Sequence, residues 1–238
     1  MLSSLSYAIR HKILDGLKEI RKNIKLHGEL QVDEYYLSIN LKGTKKDKMT
    51  RSSKPRKTTG NRMRGINKHK VCVETAIDGN DNTFLEIVGT GPITSEMIRK
   101  SLVPKVQNTT KVITDCKNSY ESVAKENEWN LVQIKSGTYT NEKGDNLACI
   151  NALHSGLENF LSLFHGVSTN HLQGYLDWYM FDKYINYTTE ILKQAHNFEI
   201  NTITKNTLMT YSNIYNNYSG LNYSEIYSDY NYHANSST

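Results

Sequence analysis

Glu29-Leu30-Gln31-Val32-Asp33-Glu34-Tyr35-Tyr36-Leu37 alternates polar and apolar side chains as far as Asp33 and ends in aromatic residues. That is the pattern of a half-covered β-strand, with a carboxylate at its middle. Lys111-Val112-Ile113-Thr114-Asp115 is a second, β-branched run that ends on a carboxylate, and a helix start follows at Asn118-Ser119. Two carboxylates delivered by strands can share divalent metal ions. Paired ions about 3.5–4 Å apart drive in-line attack at phosphodiesters.

The stretch between the two runs suggests which phosphodiester. Residues 41–70 hold twelve Lys and Arg against the single acidic Asp47, whereas the whole chain has 29 basic and 24 acidic residues. The net charge of +5 therefore comes from this segment alone, and the rest of the chain is net acidic. Gly43, Pro55, Gly60, Gly65 and many Ser and Thr argue for a loop rather than a helix. Lys45, Lys46, Lys54, Arg56, Lys57, Arg62 and Arg64 are candidate DNA-binding residues, holding phosphates with little sequence preference. A solubilising linker is the competing reading.

The remaining periodicities predict the elements around these strands. Residues 5–25 carry Leu5, Ile9, Ile13, Leu14, Leu17 and Ile20 at helical spacing. Lys70–Ile77 and Thr83–Val88 read as strands joined through Asp78-Gly79-Asn80-Asp81-Asn82, a hairpin. Thr94 starts a helix with Ile98 and Leu102, another helix runs to about Asn127, and Trp129–Ile134 reads as the last strand. Two helices over roughly 149–165 and 169–186 complete the body. This order predicts an α/β layer fold, helices covering a mixed sheet, an element order shared with ribonuclease-H-like nucleases.

A third site element is expected on the helix after the last strand. Asn151, His154, Ser155 and Glu158 recur at i, i+3, i+4 and i+7 and share one face, while Leu153, Leu157, Phe160, Leu161 and Phe164 pack inward. Amide oxygen, imidazole and carboxylate are all possible metal ligands, so His154 and Glu158 are a possible helix-face site; an ordinary polar face is the alternative. Cys72, Cys116 and Cys149 are far apart without metal spacing, and the apolar surroundings of Cys72 and Cys149 predict buried free thiols in a reducing, cytoplasmic setting. No run approaches the ~20 apolar residues of a membrane span. From Tyr187 the chain becomes rich in Asn, Tyr, Ser and Thr, with tyrosine about every three to four residues between Tyr211 and Tyr232. A stacking surface for single-stranded DNA and a polar tail are both compatible with that composition.

Gly28-Glu29-Leu30-Gln31-Val32-Asp33-Glu34, Lys42-Gly43, Arg64-Gly65-Ile66, Val71-Cys72-Val73 and Thr114-Asp115 occur in an order that resembles DDE-type bacterial insertion-sequence transposases of the ISXO-like group. Ile150-Asn151-Ala152-Leu153-His154-Ser155, Phe164-His165-Gly166-Val167-Ser168-Thr169, Leu172, Tyr175-Leu176 and Trp178 are similar to the C-terminal signature of a branch whose third site residue is asparagine. The resemblance covers about residues 5–185. It implies a ribonuclease-H-like catalytic domain over 28–186 containing the basic insert 41–70, after a remnant helical DNA-binding region over 1–27 and before a polar tail over 187–238. It implies Asp33, Asp115 and Asn151 as catalytic and metal-binding residues, two Mg²⁺ or Mn²⁺ ions, and cleavage and strand transfer at transposon ends. The partners would be transposon-end and target DNA and further copies of the chain on DNA, with no membrane. Two departures accompany it: the chain begins inside the region where the family carries a zinc ribbon and a helix-turn-helix, and Gly156 and Glu158 stand where Arg and Lys are common. An inactive DNA-binding remnant and a ribonuclease-H-like nuclease are the alternative readings.

Because the net positive charge comes from residues 41–70, replacing Lys45, Lys46, Lys54, Arg56 and Lys57 with Ser should flatten the dependence of log DNA affinity on log salt. An unchanged slope would locate the phosphate contacts elsewhere.

Overall fold

The computed structural model describes residues 2–40, 42, 66, 70–135, 138 and 140–187. Most of the basic insert and all of the tail from residue 188 lie outside the described residues. The elements follow the order α1 (Leu2–Asn23), β1 (Leu26–Ser38), β2 (Lys70–Asp78), β3 (Thr83–Thr90), α2 (Ser95–Ser101), β4 (Val106–Asp115), α3 (Asn118–Glu126), β5 (Asn130–Ile134), α4 (Ala148–Ser162) and α5 (Leu172–Tyr187). The five strands form one sheet in the order β3-β2-β1-β4-β5. The first three pair antiparallel, and β1–β4 and β4–β5 pair parallel.

Local chemistry accounts for the joints. Asp78 closes the β2–β3 hairpin, accepting from the backbone N–H groups of Asn80 and Asn82 at 2.9 and 3.0 Å and from that of His27 at 3.1 Å. Gly28, at φ +71°, sits where the β1–β4 register shifts. A side chain there would be strained, so the glycine permits the bulge. Thr94 caps α2, its hydroxyl accepting from the Met97 N–H.

The two faces of the sheet bury separate cores. Leu26, Leu30, Val32, Cys72, Ala76, Phe84 and Val112 pack with Ile98, Leu102, Tyr120 and Val123 of the α2–α3 side. Val71, Val73, Ile77, Leu85 and Ile87 pack with Ile150, Leu153 and Leu157 of α4 and Leu172, Leu176, Tyr179 and Met180 of α5. Helices α4 and α5 approach closely at Gly156, where a Cβ would lie 2.3 Å from the Tyr179 hydroxyl that donates to the Leu153 carbonyl. A side chain at this position would have to displace that hydroxyl.

Helix α1 packs along α5 through Leu14 and Leu17, and Arg21 joins it to Asp177 at 2.9 Å and to Glu86. Ile9 and Ile13 are exposed, so the apolar stripe expected over residues 5–25 is buried only in part; the side chains of Leu5 and Ile20 lie outside the described residues. Cys72 is buried as expected, but Cys149 is exposed. It precedes Ile150 in the first turn of α4, and the buried positions of that helix are Ile150, Leu153 and Leu157, a spacing that turns residue 149 outward.

One core position carries a carboxyl group. Glu74 of β2 is fully buried, and burial pushes its pKa up to about 8, opposed by the Ser101 hydroxyl. Ser101 Oγ lies against Glu74 Oε2 and also contacts the Met97 carbonyl at 2.8 Å. A hydroxyl has one proton to donate. A protonated Glu74 resolves this, donating to Ser101, which donates to Met97. Raising a carboxyl pKa in the fold means that the folded chain binds more protons than the unfolded chain between about pH 4.5 and 8. The Glu74 contribution to stability is therefore complete below about pH 4.5 and is lost as pH rises through about 8. Glu74→Gln should make thermal melting less sensitive to pH across this window, stabilising the chain most at pH 9. An identical pH profile in both proteins would show that Glu74 ionises normally.

Candidate active site

The β1–β4 register sets Gln31 opposite Ile113. Continued by two residues, it sets Asp33 beside Asp115 on the sheet face covered by α4, because alternate strand residues share a face. A cation shows the convergence directly. The Lys117 ammonium lies 3.3 Å from Asp33 Oδ1 and 3.1 Å from Asp115 Oδ2. It also pairs with Glu34, whose carboxylate points to the opposite face. Lys117 can reach both faces because β4 ends at Asp115 while β1 runs on to Ser38, leaving the β1 edge open there. Burial works against its charge, but Glu34, Asp33 and Asp115 outweigh it and hold Lys117 above the ordinary lysine range.

Helix α4 runs along β1 with matched steps. The Ile150 N–H donates to the Gln31 side chain at 3.1 Å, His154 faces Asp33, and Glu158 is close enough to Tyr35 to raise the phenol pKa behind the larger effect of burial. Four helical residues rise about 6.0 Å and two strand residues about 6.6 Å, so the pairing stays in step for two turns. Asn151 is exposed in the first turn, and no hydrogen bond joins its side chain to Asp33 or Asp115. Glu158 is exposed beside Tyr35.

His154 faces Asp33 from α4, with Nδ1 3.9 Å from Oδ2 and its ring against Tyr35. Its tautomer follows from Thr75. The Thr75 hydroxyl is 2.7 Å from the Asp33 carbonyl oxygen, which can only accept, so its proton is committed there. The same Oγ1 lies 2.8 Å from His154 Nε2 and must accept, which places the proton on Nε2. Nδ1 then presents a lone pair to the Asp33 carboxylate, and burial keeps the imidazole pKa below its usual value against the pull of Asp33. Two acceptors facing each other across 3.9 Å form a seat for a donor or a cation.

No three His, Cys, Asp or Glu side chains among the described residues gather closely enough to hold a metal ion. Two carboxylates plus an amide would not form such a group, and the oxygens of Asp33 and Asp115 do converge on one cation, Lys117. The donor set therefore fits a hard divalent ion. Of the residues singled out from sequence, the fold brings Asp33, Asp115 and His154 together and sets Asn151 one turn before His154 on the same helix. Lys45, Lys46, Lys54, Arg56, Lys57, Arg62 and Arg64 lie outside the described residues. Their segment leaves the sheet at the end of β1, the same end at which β4 stops at Asp115. Lys117, Glu34 and Thr75 carry no pattern of their own in the sequence. Only the two-residue distance of Lys117 from Asp115 could have drawn attention to it.

The tautomer is open to measurement. Nitrogen-15 NMR at pH 7.5 should find His154 neutral with the proton on Nε2, and Thr75→Val should lose that preference and destabilise the chain by about 1–3 kcal/mol, the cost of an unpaired buried donor. A proton on Nδ1 would contradict the arrangement.

The ISXO2-like transposase domain matches residues 25–182, from the start of β1 through most of α5. No curated protein matches the chain significantly. Among the described residues no helix is long and apolar enough to cross a membrane. The matched span takes in Asp33, Asp115, Asn151 and the whole mixed sheet, and the chain belongs to the ISXO2-like transposase family, with the ribonuclease-H-like fold of DDE transposases.

Proposed function

We propose that the chain cleaves DNA at the ends of an insertion sequence and transfers the freed strand to a target, using Mg²⁺ or Mn²⁺ held by Asp33 and Asp115 with Asn151 as third ligand. The observation that carries this reading is the convergence of Asp33 and Asp115 on one cation from adjacent strands of a transposase sheet. Bound divalent ions would supply the polarisation of the phosphate and the activation of water or a 3′-hydroxyl. The chain's own contribution is placement. Two strand-borne carboxylates would hold the ion, and α4 closes the site on one side. The basic segment after β1 would hold the DNA backbone at the end of the sheet where Asp115 lies.

A DNA-binding remnant without catalysis is a second reading, favoured by Glu158, an exposed carboxylate seven residues beyond Asn151 on the same face of α4, where it would repel phosphate. Cleavage of a duplex carrying the gene's flanking terminal repeats, in Mn²⁺ with the purified full chain, separates the two. Catalysis predicts nicking that Asp33→Asn or Asp115→Asn each lowers by about three orders of magnitude, equal to ~4 kcal/mol of barrier. A chain that binds this duplex but never nicks it is the remnant. Nicking without joining to a second duplex would mark a nuclease.

A further inference from the structure

We propose that Lys117 is a resident counter-cation of the Asp33–Asp115 pair, and that Glu34 is the anchor to which its ammonium retreats, so that the two together set how tightly the pair takes a divalent ion. The inference rests on the reading of Asp33 and Asp115 as a cation site.

Lys117 touches three carboxylates that are not equivalent. Asp33 and Asp115 are partly open to solvent, with side chains 21% and 33% exposed, whereas the Glu34 side chain is completely enclosed. Glu34 also makes the closest of the three contacts. It stands directly opposite Glu74 across β1 and β2, and Lys117 is the only cation among the described residues that pairs with it. Enclosed, Glu34 has among the described residues no replacement for Lys117. The two aspartates do: a divalent ion can take the place of the ammonium.

The positions make the exchange local. Lys117 stands just past the end of β4, at the open edge of β1, and reaches both faces from there. A divalent ion between Asp33 and Asp115 would meet an ammonium within a few ångström, and like charges at that range repel strongly inside a protein. Turning the side chain wholly toward Glu34 relieves the repulsion without moving the backbone. Glu34 therefore favours metal entry, and Lys117 opposes it until it has moved.

Titration of the full chain with MnCl₂ by calorimetry, at fixed ionic strength, reads this as opposite signs for two neighbouring residues. Lys117→Met should bind Mn²⁺ on the order of 10–100-fold more tightly than the unmodified chain, the usual scale for groups that act on a site through its ligands. Glu34→Gln should bind it about tenfold more weakly, since the ammonium then has only the aspartates. Glu34→Gln combined with Lys117→Met should behave as Lys117→Met does alone, because Glu34 acts through Lys117. Lys117→Met strands a buried carboxylate. If circular dichroism shows that variant unfolded, the double variant, which removes both charges, must still bind more tightly than the unmodified chain. Unchanged or weaker binding when Lys117 is removed overturns the proposal, as does an equal loss from Glu34→Gln with and without Lys117. Those results leave the metal site intact, whereas absence of Mn²⁺ binding in every variant removes the functional reading and this inference together. Binding that appears only once Lys117 is gone supports it.

Discussion

Parallel pairing of β1 with β4 is the constraint on which the rest of the site depends. Gln31 stands opposite Ile113, and two residues further along Asp33 stands beside Asp115. A slip of one residue would turn one aspartate to the α2–α3 face, because side chains alternate across the sheet. The register is held by burial on both faces: Leu30, Val32 and Val112 lie on one side and Ile113 on the other, all fully enclosed. Displacing any of these would expose apolar surface or strand a carboxylate in the core, so the hydrophobic pattern fixes the spacing of the aspartates as well.

Around that pair the protein has built a polar layer that a sheet face does not ordinarily carry. Thr75 ties the backbone of Asp33 to His154, and α4 keeps step with β1 from Gln31 to Tyr35. Lys117 bridges the faces where β1 runs on past the end of β4. Glu34 and Glu74, one strand apart on the opposite face, are both pushed toward the protonated form by burial. Only Glu34 has a cation, and that cation is the one shared with the aspartates.

The element order and the two aspartates were legible because the strand periodicity is strong in both stretches and each aspartate marks a strand centre or end. The helix face carrying Asn151, His154 and Glu158 followed from a spacing of three and four. What could not be read was which member of that face meets Asp33, since this depends on the offset between α4 and β1, set by the Gln31–Ile150 hydrogen bond across 119 residues of chain. Lys117 was hidden for a similar reason. Its reach depends on β4 being shorter than β1 at that edge, a tertiary fact with no local signature. The exposure of Cys149 was misjudged from its apolar neighbours, because in a first helical turn the neighbours in sequence point in different directions.

The most direct measurement is a crystal structure of the full chain soaked in MnCl₂, with anomalous scattering recorded at the manganese edge. A peak about 2.1 Å from carboxylate oxygens of both Asp33 and Asp115 is expected, with the Lys117 ammonium drawn away toward Glu34. A map with no anomalous peak at these carboxylates, and Lys117 still seated between them at saturating Mn²⁺, would contradict it.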